Sequence, residues 1–414
     1  MPNILVLTSN KKGKCGIKEY TERIFNSKYQ PTGSSFELEI QPITFLNCIK
    51  SPFSKFNIIH LQHEFFLFDS LVGISGLLYI IYFKIAASFM GKKLVTTVHS
   101  VHNPDNLPEA LPHFSKFKVL FPTLSIYLKF YYYCILKVSQ KTIVLSNSSA
   151  KILEAISSQS NSKSAPKNNL KNNLANYTDS GSNSESKIVV LAHGVFPRLL
   201  DDTYTNLLQP KFNIPENARI FTLFGFAFEN KGYHLAIQAL AKILQENSSS
   251  NIHLMVVSGE ASGVGISGRE GETYLQYLER LTKELGLSTK VHFTGFLDYA
   301  VPTEKDLLAE IFTKTKVFLF PYFNRTNASG ALASVLSYAK PILVSDINYF
   351  QEFPFLPTFK EGNIEDLAAK MSEFEGQSEK LYNKVSSQIG VYIEKNSLQG
   401  IFNQQLEIYQ KILD

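Results

Sequence analysis

The feature that most constrains the fold is a repeated alternation of short apolar runs with longer amphipathic stretches. The runs are rich in β-branched residues and continuously apolar, as in parallel strands that are covered on both faces. The amphipathic stretches between them predict helices, and together they form the pattern of a doubly wound α/β domain. Ten runs are predicted to be strands, five in each half of the chain: residues 3–9, 56–63, 93–100, 141–147 and 187–194, then 219–226, 252–259, 290–296, 316–322 and 341–346.

The chain has 414 residues, which is too long for one hydrophobic core and suits two domains. We therefore predict an N-terminal Rossmann-like domain over residues 1–200 and a second one over residues 201–394. Residues 157–187 are mostly Ser, Asn and Lys, which cannot bury a core, so a disordered insertion is predicted there. Residues 395–414 are predicted to form one further helix, which could pack back on the N-terminal domain.

The two halves of the chain carry opposite charge. Residues 1–200 contain 22 Lys and Arg against 11 Asp and Glu, a net charge of +11. Residues 201–414 contain 19 against 25, a net charge of −6. The basic half favours an anionic partner, such as a membrane surface, a phospholipid or nucleic acid. No recognition motif supports nucleic acid, so we predict no nucleic-acid partner.

Cysteine usage and the N-terminus indicate a cytoplasmic location. Cys15, Cys48 and Cys134 have no paired spacing, which argues against a disulfide framework and favours a reducing compartment. The first residues place an apolar run before lysines, which is the reverse of the order in a secretion signal.

Two segments, residues 65–93 and 117–137, are unusually apolar. We favour buried crossover helices, because both segments fall between predicted strands of one domain. A helix lying on a membrane surface, with lysines beside aromatic residues, is the second interpretation. A membrane span is the third, since Asp69 and Lys84 leave an uncharged run of about 14 residues where about 20 are needed.

A polar loop between residues 316–322 and 341–346 ends in Ser329 and Gly330, just before a predicted helix. Free backbone N–H groups and the helix dipole at such a point favour an anion, often a phosphate. The alternative is a simple turn from strand to helix, in which Ser caps the helix and Gly fits the bend.

With these motifs placed, the chain resembles GT-B glycosyltransferases, specifically the retaining group related to glycosyltransferase family four. The order and spacing of seven motifs carry the resemblance: "KGKCGIKEYT" (12–21), "HLQHEF" (60–65), "VTTVHSVH" (95–102), "LAHGV" (191–195), "LFGFAFENKGYHLAIQAL" (223–240), "VHFTGFLD" (291–298) and "LFPYFNRTNASGALASVLSYAKPILVSD" (319–346). It implies two doubly wound Rossmann-like domains that face each other across a cleft, where a nucleotide-sugar binds.

The resemblance implies a donor site in the second domain. Lys231 matches a lysine that reaches the diphosphate of the donor, and Ser329 and Gly330 match the helix start that binds it. Gly225 is the glycine that ends the first strand of that domain. Gly16, in the first domain, would let the backbone approach the phosphates. The alternatives are a surface lysine at position 231 and a helix start that needs a small residue at position 16.

The resemblance also assigns a reaction centre. His99 matches a histidine beside the donor sugar, where a neutral imidazole could hydrogen-bond a sugar hydroxyl or the departing phosphate. His99 and Lys231 are therefore the predicted catalytic residues. His63 and Glu64 are predicted on the acceptor side, although Glu64 could equally start a helix. The histidine spacings do not fit a metal site and no Asp-x-Asp occurs, so no metal and no cofactor are predicted.

Three more positions are assigned by the resemblance. Phe296 and Leu297 follow a predicted strand where relatives pack the nucleotide base, and apolar core is the alternative. Relatives often carry a basic residue soon after the strand glycine, where this chain has Phe226. Arg325 could supply that charge, or it could be a solvated loop residue.

The chain departs from the family pattern in the donor loop. Thr326 and Ser334 stand where most relatives carry two glutamates, one for the sugar and one for the ribose. Ala339 replaces the usual glycine two residues before Pro341. A Ser-Gly form of the loop occurs in a subgroup that shares the "CGI-x-EYT" start. Both carboxylates that would bind the sugar and the ribose are therefore absent.

The sequence thus predicts a retaining glycosyltransferase. It would move a sugar from a nucleoside diphosphate sugar to a glycan or lipid-linked acceptor, at the inner face of a membrane. One alternative is a GT-B binding or scaffold protein with weakened catalysis. Another is a sugar-nucleotide epimerase of the same fold.

Overall fold

A computed structural model describes most of the chain and divides it into two compact units. The first unit comprises Met1–Gly194, Thr326–Gly330 and Leu398–Asp414, and the second comprises Val195–Arg325 and Ala331–Ser397. The described residues are 2–10, 16–25, 36–64, 74–107, 121–159, 186–198, 206–259, 265–266, 269–298, 300–323, 329–376 and 379–414.

The first unit contains a six-stranded sheet in the order β2-β1-β3-β4-β5-β6, and every neighbouring pair is parallel. All five strands predicted in this half are present. Strand β2 was missed, because it is an edge strand in which no residue is fully buried. The strands are β1 (Asn3–Thr8), β2 (Glu37–Pro42), β3 (Ile58–His63), β4 (Lys93–Val98), β5 (Lys141–Val144) and β6 (Ile188–Val190).

Helices connect these parallel strands. The described parts of the two apolar segments form crossover helices, α3 between β3 and β4 and α4 between β4 and β5, but each helix buries only one side. The first residues of the predicted insertion, 157–159, complete helix α5, and residues 160–185 lie outside the described part. The helices are α1 (Gly16–Ile24), α2 (Phe45–Lys50), α3 (Ile74–Met90), α4 (Phe121–Val138) and α5 (Asn147–Gln159), with a 3₁₀ turn at Ser51–Phe53.

The second unit contains another six-stranded parallel sheet, in the order β11-β8-β7-β12-β13-β14. All five predicted strands of this half are present; the two-residue edge strand β14 and the hairpin β9–β10 were missed. The strands are β7 (Arg219–Phe224), β8 (Ile252–Val257), β9 (Gly265–Ile266), β10 (Arg269–Thr273), β11 (Val291–Phe293), β12 (Thr315–Phe320), β13 (Ile342–Ser345) and β14 (Thr358–Phe359).

The helices of the second unit cover this sheet. Helix α8 begins at a capping box, in which the side chains of Thr273 and Gln276 accept hydrogen bonds from each other's backbone N–H. The helices are α6 (Leu208–Phe212), α7 (Tyr233–Glu246), α8 (Tyr274–Glu284), α9 (Pro302–Lys314), α10 (Gly330–Leu336), α11 (Ile364–Gly376) and α12 (Glu379–Lys395), with 3₁₀ turns at Glu229–Lys231 and Phe350–Glu352.

The core of the second unit explains why short apolar runs form strands here. Every residue of β8 is buried, and so are four of the six residues of β7. Helix α7 covers them with Leu235, Ile237 and Leu240, each at most 5% exposed. Full burial of such a side chain contributes roughly 2 kcal/mol, so the sheet and its crossover helices stabilise each other.

The last helix, α13 (Leu398–Leu413), belongs to the first unit. Phe402 meets Phe25 at the end of α1 with ring centroids 6.1 Å apart. A Cβ on Gly194 would lie 3.1 Å from Leu398, so the helix packs directly on the backbone after β6. Helix α13 therefore completes the layer that contains α1.

Among the residues that the structure describes, no helix has both the length and the apolar character needed to cross a bilayer.

Candidate functional site

The strand order of the second sheet places a ligand-binding edge between β7 and β12. Renumbered within the unit, the order is 3-2-1-4-5-6, in which the connections reverse direction between the first and fourth strands. Ligands of such sheets bind at that reversal, outside the carboxyl ends of the strands. Gly225 follows β7 at this point, and Tyr322 follows β12.

Gly225 brings together two groups from different parts of the unit. Its φ is +110°, and a Cβ there would lie 2.9 Å from Lys231 Nζ and 3.1 Å from the Cβ of Ala331. Only glycine fits such a position. The ammonium group of Lys231 and the first turn of α10 therefore both lie against the end of β7.

The backbone around Lys231 is tightly fixed. The residue ends the 3₁₀ turn Glu229–Lys231, and Gly232 follows with a φ of +62°. A Cβ on Gly232 would lie 1.9 Å from the carbonyl oxygen of Pro321, so this position also requires glycine. Lys231 Nζ lies 5.1 Å above the ring of Tyr322. The Lys-Gly pair thus holds a positive charge at the reversal point of the sheet.

Ser329 and Gly330 lie at the start of α10, where the sequence predicts the beginning of a helix. Gly330 is the first helical residue, and both residues are half-buried. The far end of α10 is anchored by the segment after β6: the Phe196 N–H donates to Ala333 O at 3.2 Å, and Arg198 Nε donates to Ser337 O at 3.0 Å. Arg325 lies outside the described residues.

Aromatic rings flank the other side of Gly225. Phe226 stacks on Phe296 with ring centroids 5.8 Å apart and an interplanar angle of 22°, and both rings are half-buried. A Cβ on Gly259 would lie 2.7 Å from Phe296, so a glycine at the end of β8 makes room for the ring. Leu297 is 7% exposed and belongs to the interior. The pair Phe226 and Phe296 offers an apolar platform beside the lysine.

In the first unit, His99 follows β4 and is half-buried. Its Nε2–H donates to Gln62 Oε1 at 2.8 Å, and Tyr20 packs edge-on with ring centroids 5.0 Å apart. Burial, and then the neighbouring His193, lower the pKa of His99 to about 3. The ring is therefore neutral at pH 7, with Nδ1 as a hydrogen-bond acceptor that has no partner among the described residues.

A chain of buried hydrogen bonds sets this tautomer. Gln62 Nε2 donates to His60 Nε2 at 3.3 Å, and the Thr97 hydroxyl donates to the same nitrogen at 2.7 Å. The proton of His60 therefore lies on Nδ1, which donates to the hydroxyl of Tyr409. That hydroxyl donates in turn to Gln405 Oε1 at 3.4 Å. Helix α13 thus supports His99 through this relay, defined here as Gln405, Tyr409, His60, Thr97 and Gln62.

The remaining predicted residues of the first unit have different environments. His63 is 0% exposed and stacks on Tyr131 with centroids 5.4 Å apart, so it lies in the interior. Glu64 is half-buried and accepts a hydrogen bond from Ser100 at 3.4 Å. Gly16 is the first residue of α1. The described residues contain no group of three or more His, Cys, Asp or Glu side chains arranged to hold a metal ion.

A comparison with known protein families finds a match in the second unit. Residues 205–388 match the family model described as "Glycosyl transferases group 1", which spans most of the second unit. No curated protein sequence matches the chain as a significant relative.

Solved structures extend the comparison to the whole chain. The glycosyltransferase from Rickettsia africae ESF-5 is 17% identical, with a TM-score of 0.64 over 100% of this chain and 99% of that one. Anabaena HepE in complex with UDP is 14% identical, with a TM-score of 0.63 over 98% and 99%. Sucrose-phosphate synthase from Thermosynechococcus elongatus is 12% identical, with a TM-score of 0.64 over 100% and 99%. The protein has the GT-B fold of glycosyltransferases.

Within this GT-B fold, the backbone shows the cost of one predicted departure from the family pattern. Ala339, which replaces the usual glycine, has a φ of +50°. This left-handed conformation costs an L-residue roughly 1 kcal/mol, whereas glycine adopts it freely. Ser334, at the position of one family glutamate, lies half-buried in α10, and Thr326 lies outside the described residues.

Sequence reasoning missed three parts of this GT-B site. The sequence identified Phe226 only as a residue that stands where relatives often carry a basic one. Its stacking with Phe296 depends on how β7, β8 and β11 align. Gln62 carried a signal, since an amide at the end of a buried strand needs polar partners. No sequence signal pointed to Tyr409, because it lies 349 positions after its partner His60 and local patterns do not report such contacts.

Proposed function

We propose that this protein is a retaining glycosyltransferase. It transfers a sugar from a nucleoside diphosphate sugar to a hydroxyl group of a glycan or lipid-linked acceptor. The observation that carries the proposal is the placement of Lys231 and the first turn of α10 against Gly225, at the reversal point of the second sheet. The match to group 1 glycosyl transferases and the complexes of HepE with UDP and with UDP-glucose support it.

The leaving diphosphate is the group that most needs stabilisation in this reaction. Negative charge builds on it as its bond to the sugar breaks, and fixed positive charge is the most effective catalyst at such a point. Lys231 supplies that charge, and the positive end of the α10 dipole at Ser329 and Gly330 adds to it. In this proposal no metal or other cofactor has a role.

The aromatic pair and His99 have distinct parts in the proposal. Phe226 and Phe296 pack the nucleotide base, beside the lysine that binds the phosphates. His99 accepts a hydrogen bond from a hydroxyl of the donor sugar at Nδ1, because Gln62 already holds its Nε2–H. A neutral acceptor cannot donate to the departing phosphate, so of the two roles predicted for His99 we choose sugar binding.

Retention follows from same-face substitution through an oxocarbenium-like state. The new bond forms on the face from which the diphosphate leaves, and no side chain is assigned as a nucleophile. The diphosphate oxygens accept the proton of the incoming hydroxyl as the old bond breaks, so proton and charge balance without a protein base.

A turnover assay tests the proposal. The protein is incubated with UDP-, GDP- and ADP-sugars and membrane lipid extract, and release of the nucleoside diphosphate is measured. We expect release with one donor, and a loss of about 100-fold or more in Lys231→Ala. Lys283→Ala, which removes an exposed lysine in α8, is the matched control and should leave the rate unchanged.

A binding protein without turnover is the second candidate. Ser334 and Thr326, in place of two carboxylates, favour it, because ribose and sugar contacts would be weaker. Stoichiometric donor binding without release or transfer, over hours and with every acceptor fraction, would establish this candidate and contradict the enzyme.

A further inference from the structure

Helix α3 is apolar on its outer side as well as on its inner side. Leu78, Ile81, Ile85 and Phe89 are between 41% and 82% exposed, and their spacing of three, four and four residues forms one stripe along the helix. The opposite side packs into the core through Tyr79, Ile80 and Phe83, each at most 7% exposed. An apolar stripe of this length on a surface helix indicates a partner.

The neighbouring elements extend this stripe. Tyr82 of α3 donates to Ile49 O at the end of α2 at 2.8 Å, and Phe45 and Phe53 beside it are 83% and 61% exposed. On the other side α3 packs on α4, where Ile126 and Phe130 are 71% and 52% exposed. We call the outer sides of α2, α3 and α4, with the 3₁₀ turn Ser51–Phe53, the apolar face.

Lysines collect at one end of the apolar face. Lys84, Lys92, Lys93 and Lys137 line a pocket of about 280 Å³ between the ends of α3 and α4. No carboxylate is among the described residues that line it, and neither helix contains Asp or Glu. Lys187 lies near enough that Lys137 and Lys84, after burial, lower its pKa. The described lining of this pocket is therefore positively charged and attracts anions.

The pocket is separate from the site proposed for catalysis. Lys93 begins β4, whereas His99 follows the end of that strand, so the lysines lie at the opposite edge of the sheet. The stem of Lys137 runs along Tyr133, with Nζ 5.2 Å from the ring centroid. Side chains of this kind place their charge at the boundary between an apolar layer and water.

We propose that the apolar face docks on an anionic phospholipid membrane, with a lipid phosphate in the lysine pocket. Exposed Leu, Ile and Phe side chains enter the outer part of the lipid layer, as in helices that lie in the membrane interface. The lysines attract the negative surface and hold the protein in one orientation. A membrane fits both features at once, because a purely apolar partner makes no use of the positive charge of the pocket and a soluble anion leaves the apolar stripe exposed.

Vesicle flotation tests this proposal on the full chain. Vesicles of phosphatidylcholine alone are compared with vesicles that also contain phosphatidylglycerol. The wild type should float with the anionic vesicles only. The triple variant Ile81→Ser, Ile85→Ser and Phe89→Ser, and separately the double variant Lys84→Glu and Lys137→Glu, should each reduce binding by about tenfold or more. The control Leu285→Ser with Val391→Ser changes exposed apolar residues of the second unit and should bind normally.

Other occupants would give different results. Binding of inorganic phosphate that is lost in the lysine variant, without flotation of the wild type, would identify a soluble-anion pocket and overturn the proposal. A dimer that the triple variant converts to monomer, again without flotation, would identify a second copy of the chain as the partner. Flotation is measured without any nucleotide-sugar, and turnover is measured as release of the nucleoside diphosphate. A failure of flotation therefore leaves the proposed activity intact, and a loss of activity leaves the docking result intact.

Discussion

The carboxyl ends of the strands carry opposite chemistry in the two units, although both sheets are parallel and six-stranded. In the first unit this edge presents neutral groups, His99 and Gln62, joined to the buried relay. In the second unit the same edge presents Lys231 against a glycine, with aromatic rings beside it. One edge suits uncharged hydroxyl groups and the other suits phosphate and base, so the fold alone does not fix what each edge binds.

The outer helices differ as well. Eleven large apolar side chains of the described residues are exposed in the first unit and three in the second, which are Leu285, Val301 and Val391. The first unit is also the basic one by sequence. Similar sheets therefore carry helix layers with different surfaces, and the surface of the first unit is the one that suits a lipid layer.

The largest difference between the two units should be in how much stability each loses when the pH is lowered. Burial lowers the pKa of His60, His63 and His99 to about 3 and that of His193 to about 4, against 6.5 for an unperturbed histidine. The unfolded chain binds more protons between these values. The free energy of unfolding is therefore fully retained above pH 6.5 and falls below it, by about 1.4 kcal/mol per pH unit for each such histidine.

The second unit has two comparable histidines, His253 and His292, with pKa values lowered to about 4. Hydrogen exchange at pH 7 and pH 5, corrected for intrinsic rates, should show a larger loss of protection in β3 and β4 than in β7 and β8. Equal losses in the two sheets would contradict the account of the histidine cluster.

Gly232→Ala should have the next largest effect, which is a loss of stability in the second unit. The added Cβ would meet the Pro321 carbonyl oxygen at 1.9 Å, and φ is already +62°. We expect a loss of about 3 kcal/mol in urea unfolding followed by circular dichroism. The control is Gly286→Ala, where φ is +70° and no atom lies within 4 Å of the added Cβ. It should cost about 1 kcal/mol, and equal losses would show that Gly232 is not held by close packing.

Gln62→Glu tests the neutral edge of the first unit. A carboxylate that accepts from His99 Nε2–H stabilises the protonated ring, so the pKa of His99 should rise from its lowered value by about one unit or more. NMR titration of the histidine rings measures it. Gln140→Glu, whose side-chain oxygen accepts from the Leu94 N–H at the other edge of the sheet, is the control. An unchanged His99 titration in Gln62→Glu would remove Gln62 from the relay.

Ala339→Gly should have the smallest effect, and it should raise the free energy of unfolding whereas Gly232→Ala lowers it. Glycine relieves the left-handed φ of +50°, so the free energy of unfolding should rise by about 1 kcal/mol in urea unfolding. Ala241→Gly, in the interior of α7, should lower it by about the same amount. A loss of stability in Ala339→Gly would mean that the methyl group at position 339 contributes packing that outweighs the strain.

The sequence predicted most of the fold, because buried parallel strands are written as continuous apolar runs. The ten predicted strands are all present. The missed strands lie at edges or in a hairpin, where burial imposes little pattern on the sequence. Strand β2, for example, contains no fully buried residue. The apolar segments were predicted as helices between strands, but their sequence did not show which side faces outward, since both sides are apolar.

The site was predicted only where its parts are close in the chain. Gly225 and Lys231 are six residues apart, and the sequence placed both beside one strand end. The relay from Tyr409 to His99 depends on how the last helix packs on the first unit, which local pattern does not encode. The stacking of Phe226 on Phe296 likewise depends on the strand order.

A thermal-shift titration tests the central claim most directly. The purified protein is heated with UDP, GDP, ADP and their sugars, alongside Lys231→Ala and the control Lys283→Ala. A ligand that binds only the folded state raises the melting temperature. The account predicts a rise with one nucleotide that is lost in Lys231→Ala and kept in Lys283→Ala. No rise with any nucleotide in a folded sample, or an equal rise in Lys231→Ala, would contradict it.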